Sequence, residues 1–266
     1  MYLILVVGHT GQGKTTWVNN FIKGKRQYVF DVNNEYKYLP NDSRISSQMR
    51  NTDMNVKRFL DISKGLRNYN IVFEDVSFEV NKGEVLVIVG ESGCGKSTLL
   101  RIMIGLQKPT AGQVLFQGTD IINAREEDLH LYRQNIGVLF QSGALFSSMT
   151  IKENIELPLQ TYTQLDPDTI SQIVKMKLGM VNLEGYDNHH PSELSGGMRK
   201  RAGIARAMAL DPRVLFFDEL SAGLDPVTAV ELDDLIIKTN EALRTTMVIV
   251  THELESVWLI ADRIAL

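Results

Sequence analysis

Eight consecutive residues, Gly90-Glu-Ser-Gly-Cys-Gly95-Lys96-Ser97, have the types and spacing needed to hold the phosphates of a nucleotide. In such a loop the backbone N–H groups converge on phosphate oxygens, and glycines let the chain come close. Gly90, Ser92, Gly93, Cys94, Gly95 and Thr98 form the expected cradle. Lys96 reaches the β- and γ-phosphates, and the Ser97 hydroxyl binds Mg²⁺. Farther on, the apolar run Val214-Leu-Phe-Phe217 ends in Asp218-Glu219. Two carboxylates at the end of a buried strand suit phosphoryl transfer to water. Asp218 is expected to hold Mg²⁺ through water, and Glu219 to orient and deprotonate the attacking water. Between these stretches, Ser195-Gly196-Gly197 precedes a helix read over Arg199 to Leu210. The unpaired N–H groups and the positive dipole end of a helix start can grip a phosphate. ATP and Mg²⁺ are the ligands this set implies. The chemistry is one of positioning and charge neutralisation more than of covalent catalysis.

A second phosphate loop opens the chain. Tyr2 to Val7 is an apolar run, followed by Gly8-His-Thr-Gly-Gln-Gly13-Lys14-Thr15 and a helix-like Thr16 to Lys23. Gly8, Gly13, Lys14 and Thr15 match G-x-x-x-x-G-K-[ST] in full. Tyr28-Val-Phe-Asp31-Val-Asn-Asn-Glu35-Tyr36 then reads as a strand entering a polar turn, and residues 40–55 as a linker. This opening resembles the start of zonular-occludens-toxin-like, nucleic-acid-translocating ATPases, but only half such a domain is present.

The elements that must position the chemistry follow from periodicity. Val85 to Val89 is a continuous apolar run, hence a buried strand, and Lys96 to Leu106 carries Leu99, Leu100, Met103 and Leu106 at helical spacing. Gln113 to Gly118 reads as a hairpin and Ile136 to Gln141 as a strand. Ser142 to Leu210 is helix-rich, with breaks expected at Pro158, Pro167 and Pro191. Val214 to Phe217 and Met247 to Thr251 are core strands separated by a helix over Thr228 to Leu243. Strands alternating with helices predict an α/β P-loop NTPase fold with a helical subdomain at about 142–210. Ile71-Val-Phe-Glu74-Asp75 can serve either the first loop, as its carboxylate strand, or the second, as the start of the alternating stretch Val72 to Val80. The continuation Asn81 to Gly90 favours the second reading. The domain organisation expected is a partial P-loop βαβ unit over residues 1–68 and a nucleotide-binding domain over 69–266.

Phosphate loop, Leu194-Ser-Gly-Gly-Met-Arg-Lys-Arg201 signature and carboxylate strand, in that order, resemble the nucleotide-binding domain of ABC transporters. The resemblance covers nearly every residue from 69 onward and implies further roles. Gln141 matches the glutamine that touches Mg²⁺ and water and couples to the membrane partner. His252 matches the histidine that contacts the γ-phosphate. Ser221-Ala-Gly-Leu-Asp225 matches the family's D-loop, which implies that Asp225 is among the nucleotide-binding residues. Tyr69 is the candidate for the aromatic that stacks on adenine. In the family the signature of one subunit covers the ATP of the other, so Ser195 and Gly197 imply a homodimer. Phe140 to Leu159, with Glu193 to Ala202, looks like the Mla-type ATPases, which serve phospholipid trafficking with an integral-membrane permease. Three departures stand out: Leu220 occupies the usual proline position, residues 56–70 displace the usual first strand, and the chain stops at Leu266, before the family's closing strands and helices.

Composition narrows the alternatives. The formal charge of −4 is a split: residues 1–68 hold 11 Lys+Arg against 5 Asp+Glu, or +6, and the other 198 hold 17 against 27, or −10. Such asymmetry suggests two origins or two partners, and no nucleic-acid partner is expected for 69–266. A lone cysteine, Cys94, rules out an internal disulfide and fits a reducing cytoplasm. No apolar run approaches the ~20 residues of a membrane span, so peripheral membrane association through a permease is expected. The competing readings are a non-catalytic nucleotide-binding fusion and a nucleic-acid-linked ATPase acting through residues 1–68. A single signature argues against a two-cassette translation factor, and the lack of a coiled coil between Lys96 and Ser195 argues against a repair ATPase.

Overall fold

Apolar runs without alternation demand strands covered on both faces, and that demand organises the molecule. The computed structural model describes residues 78–90, 93–109 and 112–265, together with the strands Tyr2–Leu5 (β1) and Gln27–Phe30 (β2). Next come β3 (Val85–Val89), α1 (Lys96–Met103), β4 (Leu115–Phe116), β5 (Thr119–Asp120), α2 (Glu126–Gln134) and β6 (Ile136–Leu139). Three helices follow, α3 (Ile151–Tyr162), α4 (Pro167–Met180) and α5 (Gly196–Ala207). The chain then runs through β7 (Val214–Asp218), α6 (Pro226–Leu243), β8 (Thr246–Thr251), α7 (Leu254–Ile260) and β9 (Arg263–Ala265).

One seven-stranded sheet has the order β2-β1-β9-β3-β8-β7-β6, with every pairing parallel. All residues of β3 and β8 are buried, and they alternate between two apolar layers. Val85, Val87, Met247 and Ile249 face the larger layer, which α3 to α7 cover with Ile155, Val174, Ile204, Leu232 and Val257. Ile88, Val248 and Val250 face the smaller layer with Leu100 and Met103 of α1. The α/β P-loop architecture expected from the sequence is present. β4 and β5 form a separate hairpin whose two loop residues, Gln117 and Gly118, both have positive φ (51° and 83°), as a tight two-residue hairpin requires.

Several local expectations change. Pro158 lies inside α3 and does not break it. An internal proline costs about 3 kcal/mol, but Ile151, Ile155 and Leu159 on the same helix are 0%, 0% and 2% exposed. Burying each is worth about 1.5–3 kcal/mol, so the apolar stripe outweighs the proline. The Thr150/Glu153 capping box and the Asn154 side chain, which donates to the carbonyls of Phe146, Met149 and Thr150, secure the first turn. Phe78 to Val80 are not in a strand, and the rest of the alternating stretch lies outside the described residues. α5 begins at Gly196, ahead of the Arg199 start read from the sequence, because Ser195 caps it. β1 and β2 extend the main sheet, with Ile4 and Leu5 in register with Ile264 and Ala265.

Candidate functional site

Parallel register brings the candidate residues to one edge. Val89 is level with Thr251, Val250 with Asp218, and Phe217 with Leu139. Gly90, His252, Glu219 and Gln141 therefore all follow the carboxyl ends of four adjacent strands, β3, β8, β7 and β6. This is the edge where open parallel sheets bind ligands.

The phosphate loop leaves β3 and enters α1 through Gly95, whose φ of 101° a side chain would oppose. Lys96 is 7% exposed. Its Nζ donates to the Gly90 carbonyl at 2.8 Å and stands 3.9 Å from Glu219 Oε1. The Ser97 hydroxyl donates to Asp218 Oδ1 at 2.9 Å across 121 residues of sequence. Gly93 and Cys94 are exposed at the loop, and Thr98 is half-buried in the first turn of α1. Among the described residues no group of three or more His, Cys, Asp and Glu could hold a metal alone. Mg²⁺ keeps waters and takes one or two protein oxygens together with substrate phosphates. The Ser97–Asp218 oxygens and the Gly90–Lys96 cradle fit a Mg²⁺–nucleotide. Such an ion would neutralise phosphate charge, held by Ser97 directly and by Asp218 from the end of β7.

Glu219 follows β7 with an unusual backbone. Its φ is 53°, a left-handed conformation that residues with a Cβ disfavour, and its N–H donates to Val250 O at 2.8 Å. The side chain is 12% exposed, and Oε2 lies 2.7 Å from His252 Nδ1. No aligned hydrogen bond joins the two, and the contact is an ion pair only when the imidazole carries a proton. His252 is half exposed, and Gln141 lies exposed in the turn beyond β6. The Glu219 carboxylate, mostly buried at the strand end and flanked by Lys96 and His252, is placed to orient a water and take its proton.

Sequence reasoning missed two cations of α5. Lys200 is buried, and its Nζ donates to the carbonyls of Glu219 (3.2 Å), Leu220 and Ala222 (2.8 Å). Arg206 donates to the carbonyls of Gly143 (3.2 Å) and Ala144 (2.7 Å), just past Gln141. Burial pushes both pKa values down, and for Lys200 the charges of Glu253 and Glu219 oppose that. In sequence both are ordinary basic residues on a helix, and only the tertiary fold selects their partners.

The signature residues sit at the start of α5. Ser195 is exposed, and its Oγ accepts from Met198 N at 3.2 Å. Gly196 is half-buried. At the buried Gly197 an added Cβ would fall 2.4 Å from Thr228 Cγ2, so packing against α6 itself requires glycine there. Asp225 caps α6, accepting from Thr228 N (3.0 Å) and Thr228 Oγ1 (2.6 Å). Ser92, Tyr69, Gly8, Gly13, Lys14 and Thr15 lie outside the described residues.

Residues 73–222 match the ABC transporter family. The chain is 42% identical over 196 residues to the intermembrane phospholipid transport system ATP-binding protein MlaF of Haemophilus influenzae, covering 74% of each chain. It is 43% identical over 195 residues to the probable ribonucleotide transport ATP-binding protein mkl of Mycobacterium leprae, covering 73% of this chain and 56% of that one. The match therefore spans little more than half of the mycobacterial relative. Among solved structures, the bacterial ABC transporter cassette MJ0796, in dimeric form, superposes with a TM-score of 0.67 at 34% identity, over 73% of this chain and 85% of that one. With phosphate loop, carboxylate strand and signature helix placed as described, and with these matches, the chain belongs to the ABC transporter family.

Proposed function

We propose that the chain is the ATP-binding and ATP-hydrolysing subunit of a transporter that moves phospholipid or another lipid through an integral-membrane permease. The observation that carries the hydrolytic part is the meeting of Lys96, Ser97–Asp218 and Glu219–His252 at one sheet edge. Lys96 holds the terminal phosphates of ATP. Glu219 orients water for in-line attack on the γ-phosphorus and takes its proton, while His252 supports the carboxylate and contacts the γ-phosphate. Gln141, just past β6, would touch Mg²⁺ and water and couple the site to the permease. Water supplies the oxygen of the released phosphate, and ADP leaves with the bridging oxygen.

A second copy completes the site in this reading. Ser195 and Gly196 present the start of α5 to solvent, where a helix N-terminus can meet the γ-phosphate bound by a partner. The solved cassette MJ0796 is dimeric, which supports a second copy here. Among the described residues no helix is long and apolar enough to cross a membrane, so the lipid path belongs to the permease. Its docking place is the groove of about 290 Å³ beside the edge strand β6, lined by Phe146, Leu157, Pro158, Tyr162, Arg206 and Leu210. It lies next to the Gln141 loop. The phospholipid relatives favour a lipid cargo.

Glu219→Gln tests the reaction. The variant is expected to retain ATP binding and to lose turnover by at least about 100-fold, the contribution typical of a general base. Undiminished hydrolysis would remove Glu219 from its role.

A further inference from the structure

The first two turns of α5 do more than present the signature. Lys200 lies five residues after Ser195, and its side chain points into the protein at 6% exposure. A lysine ammonium has three N–H donors and no acceptor. Here all three are used, on the main-chain oxygens of Glu219, Leu220 and Ala222. These are backbone atoms of the segment that leaves β7, and the segment begins with the left-handed Glu219. The backbone of the segment makes three further hydrogen bonds. Glu219 N donates to Val250 O at 2.8 Å, Ala222 N to Glu219 O at 3.3 Å and Leu224 N to Ser221 O at 3.1 Å. Two of these are internal to the turn, so Val250 and Lys200 are its anchors to the rest of the fold among the bonds described. Keeping a cation buried here is costly unless its donors are all satisfied. A backbone held in a disfavoured conformation at a functional carboxylate needs such outside restraint.

We infer that Lys200 is a positioning residue for hydrolysis, fixing the backbone from Glu219 to Ala222 so that the Glu219 carboxylate is aimed at the attacking water. Because Lys200 stands on the helix that Ser195 caps, it also ties that aim to the placement of the signature. Arg206 makes the matching link from the same helix to the carbonyls after Gln141.

This inference rests on the hydrolytic reading above, and its test separates the two. The full-length chain and its Lys200→Met, Lys200→Gln and Lys200→Arg variants are compared for ATPase kcat and KM, for binding of a fluorescent ATP analogue and for thermal melting. Lys200→Met keeps the length of the side chain and removes every donor. It is expected to lower kcat by about 10- to 100-fold, as small misplacements of a reacting group do, with analogue affinity within about twofold. Lys200→Arg, which restores donors, is expected to recover part of the loss. If Lys200→Met does not melt cooperatively, Lys200→Gln, with two N–H donors, is read by the same criteria. Unchanged kcat in the folded variant overturns the inference. So does a parallel loss of kcat and nucleotide affinity, which would mark a general structural role. Turnover that survives Glu219→Gln overturns both readings, whereas normal turnover in Lys200→Met beside an inactive Glu219→Gln overturns this one alone.

Discussion

Gly197→Ala separates two explanations of the signature glycine. One holds that a Cβ would keep the backbone from a phosphate; the other, drawn from the fold, is that it would strike α6. The added Cβ falls 2.4 Å from Thr228 Cγ2, where carbon atoms normally approach to about 3.5–4.0 Å. More than 1 Å of displacement is needed. Thr228 cannot give way by rotating, because turning χ1 pulls Oγ1 from Asp225 Oδ2, now at 2.6 Å. The expected cost is therefore that of an overpacked interface, about 1–3 kcal/mol. Thr228→Ser removes the clashing methyl and keeps the hydroxyl that Asp225 accepts. A double-mutant cycle in urea is expected to show Gly197→Ala destabilising the chain and Thr228→Ser returning at least about 1 kcal/mol of that loss. No coupling between the two would refute the packing argument. Activity measured alongside then isolates any remaining effect on phosphate binding.

Two further predictions follow from the described contacts. Hydrogen bonds from Thr169 and Thr228 hold the carboxyls of Asp166 and Asp225 below their ordinary pKa, so folding favours the ionised form. That contribution is present above the unfolded carboxylate pKa of about 4 and is lost as pH falls through the lowered folded value. The urea midpoint should thus fall less steeply between about pH 5 and 2 in an Asp166→Asn/Asp225→Asn variant, which keeps the cap oxygens, than in the parent; equal slopes would remove the caps as its source. Phe146, 49% exposed on the groove beside β6, is expected when changed to Asp to lose association with the permease while nucleotide binding is retained. Co-purification from a membrane extract measures it, and an intact complex would place docking elsewhere.

The residues that could be read without a fold are those whose chemistry is local in the chain. A phosphate cradle is built from consecutive N–H groups, so Gly90 to Ser97 identify themselves by spacing. A strand buried on both faces must be apolar throughout, so β3, β7 and β8 were legible, and with them the carboxylates at the end of β7. Which strands are neighbours, and in what register, depends on contacts between distant segments. Only that pairing sets Ser97 against Asp218 and Glu219 against His252. The same holds where local propensity was overridden. Pro158 reads as a break, yet the buried stripe of α3 carries the helix through it. Glu219 shows no sign in its residue type of a left-handed backbone, because that conformation is imposed by Val250 and Lys200. Lys200 is one of three consecutive basic residues, and helical periodicity gives its direction but not what it meets. Sequence alone determined that nucleotide chemistry belongs to this chain, since the required groups are adjacent in it. The tertiary structure decided how the carboxylate is aimed, since its restraints come from side chains and carbonyls that approach one another only when the sheet and α5 have packed.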